Sequence, residues 1–515
     1  MAIIGSLLKR GITLGESLEQ QFSTATDLQK HELKKLLIKA RNTRFGKTYN
    51  FIDILKSFRI ERNGSYYEHF RKNVPIHDYD SMYDNWWVDA RNGDVDVCWP
   101  GKIKYFALSS GTSGAASKYI PITKDIFRSI KRTSVRQILS LANYDLPTEF
   151  FSKKILMLGG STSLTKSGQF FQGDLSGITA SQMPFWMQFH YKPGRKIAAE
   201  VDWNNKLENI TLKAKDWDIG IIVGVPSWIQ LLFEKIIKHY NLETIHDIWP
   251  NLRVFVHGGV AYSPYKAGFE KLLARPLINM ETYLASEGYL AFQTPNHQGG
   301  MKLVLNGGIF FEFVPFTHLN FDEDGVLKEN PEVLSISEVE ENTDYAILIS
   351  TNAGSWRYLI GDVVQFINVR ESEIRIVGRT KQFLSICGEH LSVDNMNQAI
   401  INTGKEMGIE IREFTVTAYP KGPYFVHHWY IGTDSIVDTE RVKSLIDNHL
   451  KNLNDDYATE RNSVLKHLEL EAFPSTIFYG WMASNGKIGG QNKFPRVLKN
   501  EKFESWRLYL GSLTQ

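Results

Sequence analysis

The chain has 515 residues, 43% of them apolar and 23% charged, a composition that fits a globular protein large enough for two or more domains. Lys and Arg number 59 against 57 Asp and Glu, a formal charge of +2, so the basic surplus of a nucleic-acid binder is missing. The two cysteines, Cys98 and Cys387, lie far apart without metal-ligand spacing, which argues against a disulfide scaffold or a structural zinc site.

At the N-terminus a short apolar run is followed, not preceded, by Lys9 and Arg10, the reverse of a secretion signal. Residues 219–233 form the longest apolar stretch, but Gly220, Gly224 and Pro226 interrupt it and it is too short for a bilayer. A soluble, cytoplasmic protein with no membrane partner is the expectation.

Leu33, Leu36, Leu37 and Ala40 recur at three- and four-residue spacing and predict a helix over 27–47. Pro75 then biases its predecessor toward extended backbone, and the Trp86-Trp87 pair reads as packing material. Residues 103–108 read as a strand. It runs into Leu108-Ser109-Ser110-Gly111-Thr112-Ser113-Gly114-Ala115-Ala116-Ser117-Lys118, a crowd of hydroxyls and glycines closed by a lysine. Such a loop can wrap phosphate oxygens with free N–H groups and hydroxyls. It is not a Walker loop, because Ala116 and Ser117 stand where glycine and lysine are needed. Gly111-Thr112-Ser113-Gly114-Ala115 likewise lacks the last glycine of a nucleophile elbow.

Beyond the loop, 125–143 predicts a helix with Ile126, Ile130, Ile138 and Leu141 on one side. Short apolar runs at 155–158, 219–223 and 253–257 read as buried strands, the first and last followed by the glycine pairs Gly159-Gly160 and Gly258-Gly259. Alternating with helices, they predict an α/β sheet of parallel character that binds ligands at its carboxyl edge. Residues 301–305 and 309–314 around Asn306-Gly307 read as a β-hairpin. Strands at 346–350, 363–369 and 374–377 continue a β-rich subdomain that closes the large domain, taken as 1–378. A small α+β domain, 379–515, follows, with strands at 414–419, 424–431 and 468–473 and a helix at 439–450.

Ser109 to Ser113 and Lys118 to Pro121 resemble the first nucleotide motif of the GH3 acyl acid amido synthetases, a branch of the adenylate-forming superfamily that includes firefly luciferase and acyl-CoA synthetases. Partner motifs follow in the family's order: Tyr283-Leu284-Ala285-Ser286-Glu287, Tyr358-Leu359-Ile360-Gly361-Asp362, Gly378-Arg379-Thr380-Lys381 with Gly388-Glu389, and Gln491-Asn492-Lys493-Phe494-Pro495-Arg496. The resemblance implies a large adenylate-forming domain and a small mobile one that pivots at Lys381. It implies ATP and Mg2+, with Ser109, Ser110, Gly111, Thr112, Ser113 and Lys118 on the phosphates and Glu287 on the metal. Tyr283, Ser286 and Arg379 would flank the nucleotide, and Asp362 would take both ribose hydroxyls. Lys493 would be the mobile catalytic lysine, with Lys487 its rival.

Two departures stand out. Ala285 replaces a serine, and Leu359 replaces an arginine whose charge Arg357 is a candidate to supply. The implied activity is adenylation of a small carboxylic acid and transfer of its acyl group to an amine, expected to be an amino acid. An acyl-CoA ligase and a non-catalytic nucleotide-binding descendant are the alternatives. A hydrolase built on Ser113 with His190 or His257 lacks its elbow. The acyl pocket is sought around Val225, Trp228 and Val260.

Overall fold

The computed structural model describes the chain except residues 1–23, 59–64, 110–117, 183–189, 260–261, 296–298, 323–324, 381–383, 385, 388, 390, 422–423, 487–492 and 514–515. Among the sites named above, Ser110, Gly111, Thr112, Ser113, Val260, Lys381, Gly388 and Lys487 lie outside the described residues.

The first helix, α1 (Ala25–Ala40), is shorter than expected. Thr43 interrupts it: its hydroxyl accepts from Gly46 N at 3.0 Å and caps a second short helix, Arg44–Thr48. A threonine hydroxyl competing for free N–H groups is a helix-start signal, and here it splits one periodic stretch in two. Trp87 is fully buried and Trp86 nearly so, in a core with Phe45 and Trp356.

The strands up to Arg379 are, in chain order, β1 (Tyr105–Ser109), β2 (Lys118–Ile122), β3 (Lys154–Leu158), β4 (Thr165–Ser167), β5 (Phe170–Gly173), β6 (Tyr191–Lys192), β7 (Ile219–Gly224), β8 (Val254–Gly258), β9 (Ile278–Ala285), β10 (Gly288–Phe292), β11 (Met301–Leu303), β12 (Ile309–Pro315), β13 (Asp344–Thr351), β14 (Tyr358–Asn368) and β15 (Glu373–Arg379). A four-stranded sheet has the order β2-β1-β5-β4, and an eleven-stranded sheet the order β12-β13-β14-β15-β11-β10-β9-β8-β7-β3-β6. The β6, β3, β7, β8 and β9 neighbours pair in parallel. From β9 to β12 every neighbouring pair is antiparallel, so the β-rich part extends the parallel sheet instead of forming a separate layer.

Helix α2 (Lys124–Ser140) starts where Thr123 accepts from Ile126 N at 3.1 Å, and α3 (Pro226–Tyr240) carries its proline in the first turn. The apolar face of α3 packs on the parallel strands, whereas Ile126 and Ile130 of α2 join the core under the antiparallel part of the sheet.

The expected hairpin at Asn306-Gly307 does not form. β11 pairs with β10 and β15, while β12 crosses to the far edge and pairs with β13. A two-residue hairpin turn of that type needs positive φ at both central residues, and neither Asn306 nor Gly307 has it. Other groups hold the segment: Arg132 donates to the Asn306 carbonyl at 2.6 Å and Arg136 to its side-chain oxygen at 2.7 Å. The Gln29 amide donates to the carbonyls of Leu305 and Ile309 and accepts from Phe311 N.

The C-terminal part has its own sheet of β16 (Glu413–Lys421), β17 (Tyr424–Gly432) and β18 (His467–Phe473), in the order β16-β17-β18. Helices α4 (Val393–Met407) and α5 (Thr439–Leu453) cover one face over Trp429 and Phe414. His427 and His428 face opposite sides, as their strand positions require. His427 Nε2 meets Glu389 at 2.8 Å in a fully buried pair, and His428 lies between Glu469 and Glu471. Burial would raise the Glu389 pKa, but His427 and the N–H groups of Ile386 and Cys387 hold it down to about 2.

Candidate active site

A cavity of about 900 Å³ opens at the carboxyl ends of β3, β7 and β8, with α2 on one side and β14 and β15 on another. This is where ligands sit in sheets of this kind. Lys118, Tyr283, Ser286, Glu287, Asp362 and Arg379 all line it, and Lys493 enters from the far end of the chain.

Ser109 and Lys118 are opposite partners in the β1–β2 pair, and Lys118 lines the cavity. Lys118 carries its ammonium 5.0 Å from the Tyr79 ring centroid. The Tyr79 hydroxyl accepts from Tyr119 N at 2.9 Å, which fixes the start of β2.

Ser286 and Glu287 form a two-residue turn, because Ala285 pairs with Gly288 across β9 and β10. A strand, β10, follows Glu287 directly. Glu287 is only 7% exposed. Burial, with a smaller push from Asp362, raises its pKa to about 7, while its own backbone N–H, Lys118 and Arg379 pull the other way. A single carboxyl at the cavity can share a divalent ion that arrives with phosphate oxygens. Among the described residues no cluster of three or more acidic, histidine or cysteine ligands exists.

Asp362 sits inside β14. Its Oδ2 accepts from the Tyr283 hydroxyl at 2.6 Å, and its Oδ1 lies 2.9 Å from Arg379 Nε, its cross-strand partner on β15. Arg379 also donates to the Ile360 carbonyl at 3.1 Å. Gly361 next to it has φ +84°, a conformation that favours glycine and bends the strand there. A carboxylate has about four lone-pair positions, so two remain free for a ligand after these bonds.

Lys493 Nζ donates to the Gly259 carbonyl just beyond β8. Its side chain keeps contact with solvent along the cavity, yet the surrounding protein lowers its pKa to about 8, with Arg379 adding to the effect and Asp362 opposing it. Two neighbours anchor this lysine. Phe494 is buried among Phe478, Trp481 and Trp506. Arg496 donates to Glu413 at 2.7 Å and to the Tyr265 hydroxyl at 3.3 Å, and so ties the C-terminal segment to both parts of the molecule. Tyr265 and the work of Arg496 were missed from sequence, although Arg496 stands in the motif that singled out Lys493.

Arg357 does not face the cavity. Its Nε lies 3.0 Å from the buried Glu312 Oε2 and its Nη1 donates to the Arg71 and Val74 carbonyls. The expected substitute charge is therefore not there. Leu359 packs beside Ile76 and Phe316, on the face opposite Tyr358, Ile360 and Asp362, so this replacement takes no side chain from the cavity wall. Ala285, in contrast, does line it. Arg357→Met is expected to cost about 3–5 kcal/mol in chemical denaturation, since Glu312 loses its partner, while affinity for ATP stays unchanged.

Of the expected acyl-pocket residues, Val225 lines the cavity, but Trp228 packs its ring 5.0 Å from Trp203. Ile138, Leu141, Met157, Val223 and Val256 make up an apolar wall instead. His190 is exposed, whereas His257 is buried, its pKa driven to about 3, with its ring stacked on Tyr262.

The fold is similar to that of a solved structure, "GH3.15 acyl acid amido synthetase": the TM-score is 0.73 at 16% identity, over 98% of this chain and 96% of that one. Family models match in sequence order, the GH3 N-terminal domain over residues 15–191, the central domain over 302–379 and the C-terminal domain over 394–502. The chain belongs to the GH3 family. It is 25% identical over 252 residues to the indole-3-acetic acid-amido synthetase GH3.2 of Arabidopsis thaliana, covering 45% of this chain and 42% of that one. It is also 22% identical over 415 residues to the jasmonoyl–L-amino acid synthetase JAR6 of Nicotiana attenuata, covering 67% of this chain and 70% of that one. The aligned part thus spans less than half the length of the Arabidopsis relative. No helix among the described residues is long and apolar enough to cross a membrane.

Proposed function

We propose that this chain is an ATP-dependent, AMP-forming ligase that adenylates a carboxylic acid and passes the acyl group to an amine, an amino acid by class. The observation that carries the reading is the Tyr283–Asp362–Arg379 arrangement at the cavity that Lys493 enters. In the first step a carboxylate oxygen of the acid attacks the α-phosphorus of ATP, and the bond from that phosphorus to pyrophosphate breaks. In the second, the amine nitrogen attacks the acyl carbon, loses a proton and releases AMP.

Asp362 holds the two ribose hydroxyls, with Tyr283 and Arg379 fixing its orientation. Arg379 and Lys118 bring positive charge to the phosphates, together with Ser109, Ser110, Gly111, Thr112 and Ser113. Ser286 borders the nucleotide. Glu287 would hold Mg2+, which supplies charge neutralisation on the phosphates when bound. Lys493 steadies the oxygen between acid and phosphorus. Placement and charge stabilisation account for most of the rate in such transfers. The boundary between a 1–378 large domain and a 379–515 small one, with its pivot at Lys381, belongs to the same reading, because Lys493 must leave before an amine can approach.

The test is acid-dependent exchange of labelled pyrophosphate into ATP across aromatic, fatty and hydroxy acids, followed by mass spectrometry with amino acids or coenzyme A added. Exchange with one acid and an amide product is the expected result. A thioester product would make the chain an acyl-CoA ligase. Bound ATP without exchange from any acid would make it a nucleotide-binding protein.

A further inference from the structure

The parallel strands are covered unequally on their two faces. Leu156, Leu158, Ile222 and Phe255 point toward α3 and are buried in its core. The alternate residues Ile155 and Met157 on β3, Val223 on β7 and Val256 on β8 face the cavity and are only half-buried. A parallel sheet normally has both faces covered. On this face the cavity stands where the cover would be.

The strand register sorts the cavity face into two rows. Met157, Val223, Val256 and Met280 are lateral neighbours across four strands, and Ile155, Ile221, Val254 and Ile278 form the row two residues lower. Neither row holds a charge, a hydroxyl or an aromatic ring. The whole upper row lines the cavity, but of the lower row only Ile155 and Ile221 do. The cavity therefore narrows as it descends, from four strands wide to two, at about 5 Å from strand to strand. Ile155 lies four residues below Gly159 at the mouth, about 13 Å along the strand. Leu141, just past the end of α2, and Phe150 pack against the lower end and close it. Above the upper row, Gly159 and Gly258 put no side chain between it and the Gly259 carbonyl that holds Lys493.

An acid whose carboxylate reacts beside Lys493 lays its body along this face. A slot that is aliphatic, deep and two strands wide at its closed end takes a chain and not a ring system. We infer that the acid activated here has an unbranched alkyl body of medium length, running from the reacting end down to Ile155 and Ile221. This inference rests on the adenylation reading above and names the class of acid. Each methylene that leaves water for such a wall adds to binding until the floor is reached.

The experiment runs the straight-chain acids from butanoic to decanoic on the full chain, with phenylacetic acid as the ring-bearing comparator. Pyrophosphate exchange reads chemistry, and acid-induced thermal shift reads binding. The expected kcat/KM rises about fourfold per added methylene and stops rising once the chain meets the floor. The best straight-chain acid should exceed phenylacetic acid. Val223→Phe fills the upper row and should lower the octanoic-to-butanoic ratio of kcat/KM by roughly tenfold or more. Ile155→Phe, in the lower row, should lower the same ratio less and act mainly on decanoic acid. An unchanged ATP-induced thermal shift shows that each variant is folded. A flat series with exchange intact would overturn the inference and leave adenylation standing. Phenylacetic acid ahead of every straight-chain acid, or an unchanged ratio in folded Val223→Phe, would overturn it as well. Chain-length preference in binding without exchange from any acid would sink the adenylation reading and leave the alkyl slot in place.

Discussion

Asp362→Ala is expected to lower acid-dependent pyrophosphate exchange by two to three powers of ten. The reason lies in what its two oxygens do at once. They accept from Tyr283 and face Arg379, and they keep lone pairs for two ribose hydroxyls. A hydrogen bond to a charged group contributes roughly 1.5–3 kcal/mol, so losing two to the ribose gives about 3–4 kcal/mol once some water compensation is allowed. Alanine also strands the Tyr283 hydroxyl, in a residue 5% exposed, and releases Arg379. The stability cost should stay near 1–2 kcal/mol, because the Arg379 side chain is 36% exposed and water replaces part of the pair. The measurement is kcat/KM for ATP together with a melting curve. Asp362→Asn should fall between wild type and alanine, keeping shape and one acceptor but not the charge opposite Arg379. A loss below tenfold in Asp362→Ala, in a protein that melts normally, would remove Asp362 from the ribose.

The same pair of strands shows what a sequence can and cannot disclose. β3, β7 and β8 were legible because they read as continuous apolar runs, packed on one face and lining the cavity on the other. Glu287, Asp362, Arg379 and Lys493 were legible as motif letters, and the structure brings them to one cavity although they span some two hundred positions. Their couplings were not legible. Nothing in the spacing of Asp362 and Arg379 says that they are cross-strand neighbours, since that depends on the register of β14 against β15. Arg357 was misread for a related reason. A lone arginine beside a nucleotide motif looks like a phosphate ligand until its true partner, Glu312 on a strand forty-five positions earlier, is known. Asn306-Gly307 failed because local turn chemistry lost to long-range capture by Gln29, Arg132 and Arg136.

The segment that carries Lys493 leads to the second large effect. Phe494 and Arg496 lock its C-terminal side, and the ammonium reaches the Gly259 carbonyl at the end of β8, where the reacting phosphate would lie. Lys493→Ala should therefore reduce pyrophosphate exchange by about a hundred- to a thousandfold, as loss of one preorganised contact to developing charge commonly does. Consumption of a supplied acyl-adenylate by the amine should remain near the wild-type rate, because the lysine serves only the first step. Lys487→Ala should keep exchange, which separates the two lysines. The pH profile gives an independent check. A lysine whose pKa is lowered to about 8 is charged below that pH and loses its charge as pH rises through it, so wild-type kcat/KM for exchange should decline above about pH 8. Arginine does not titrate there, and Lys493→Arg, even if slower throughout, should lose that alkaline decline. If the decline persists unchanged in Lys493→Arg, another group titrates. If exchange survives in Lys493→Ala but not in Lys487→Ala, the lysine next to Phe494 is only an anchor and the catalytic cation is its rival.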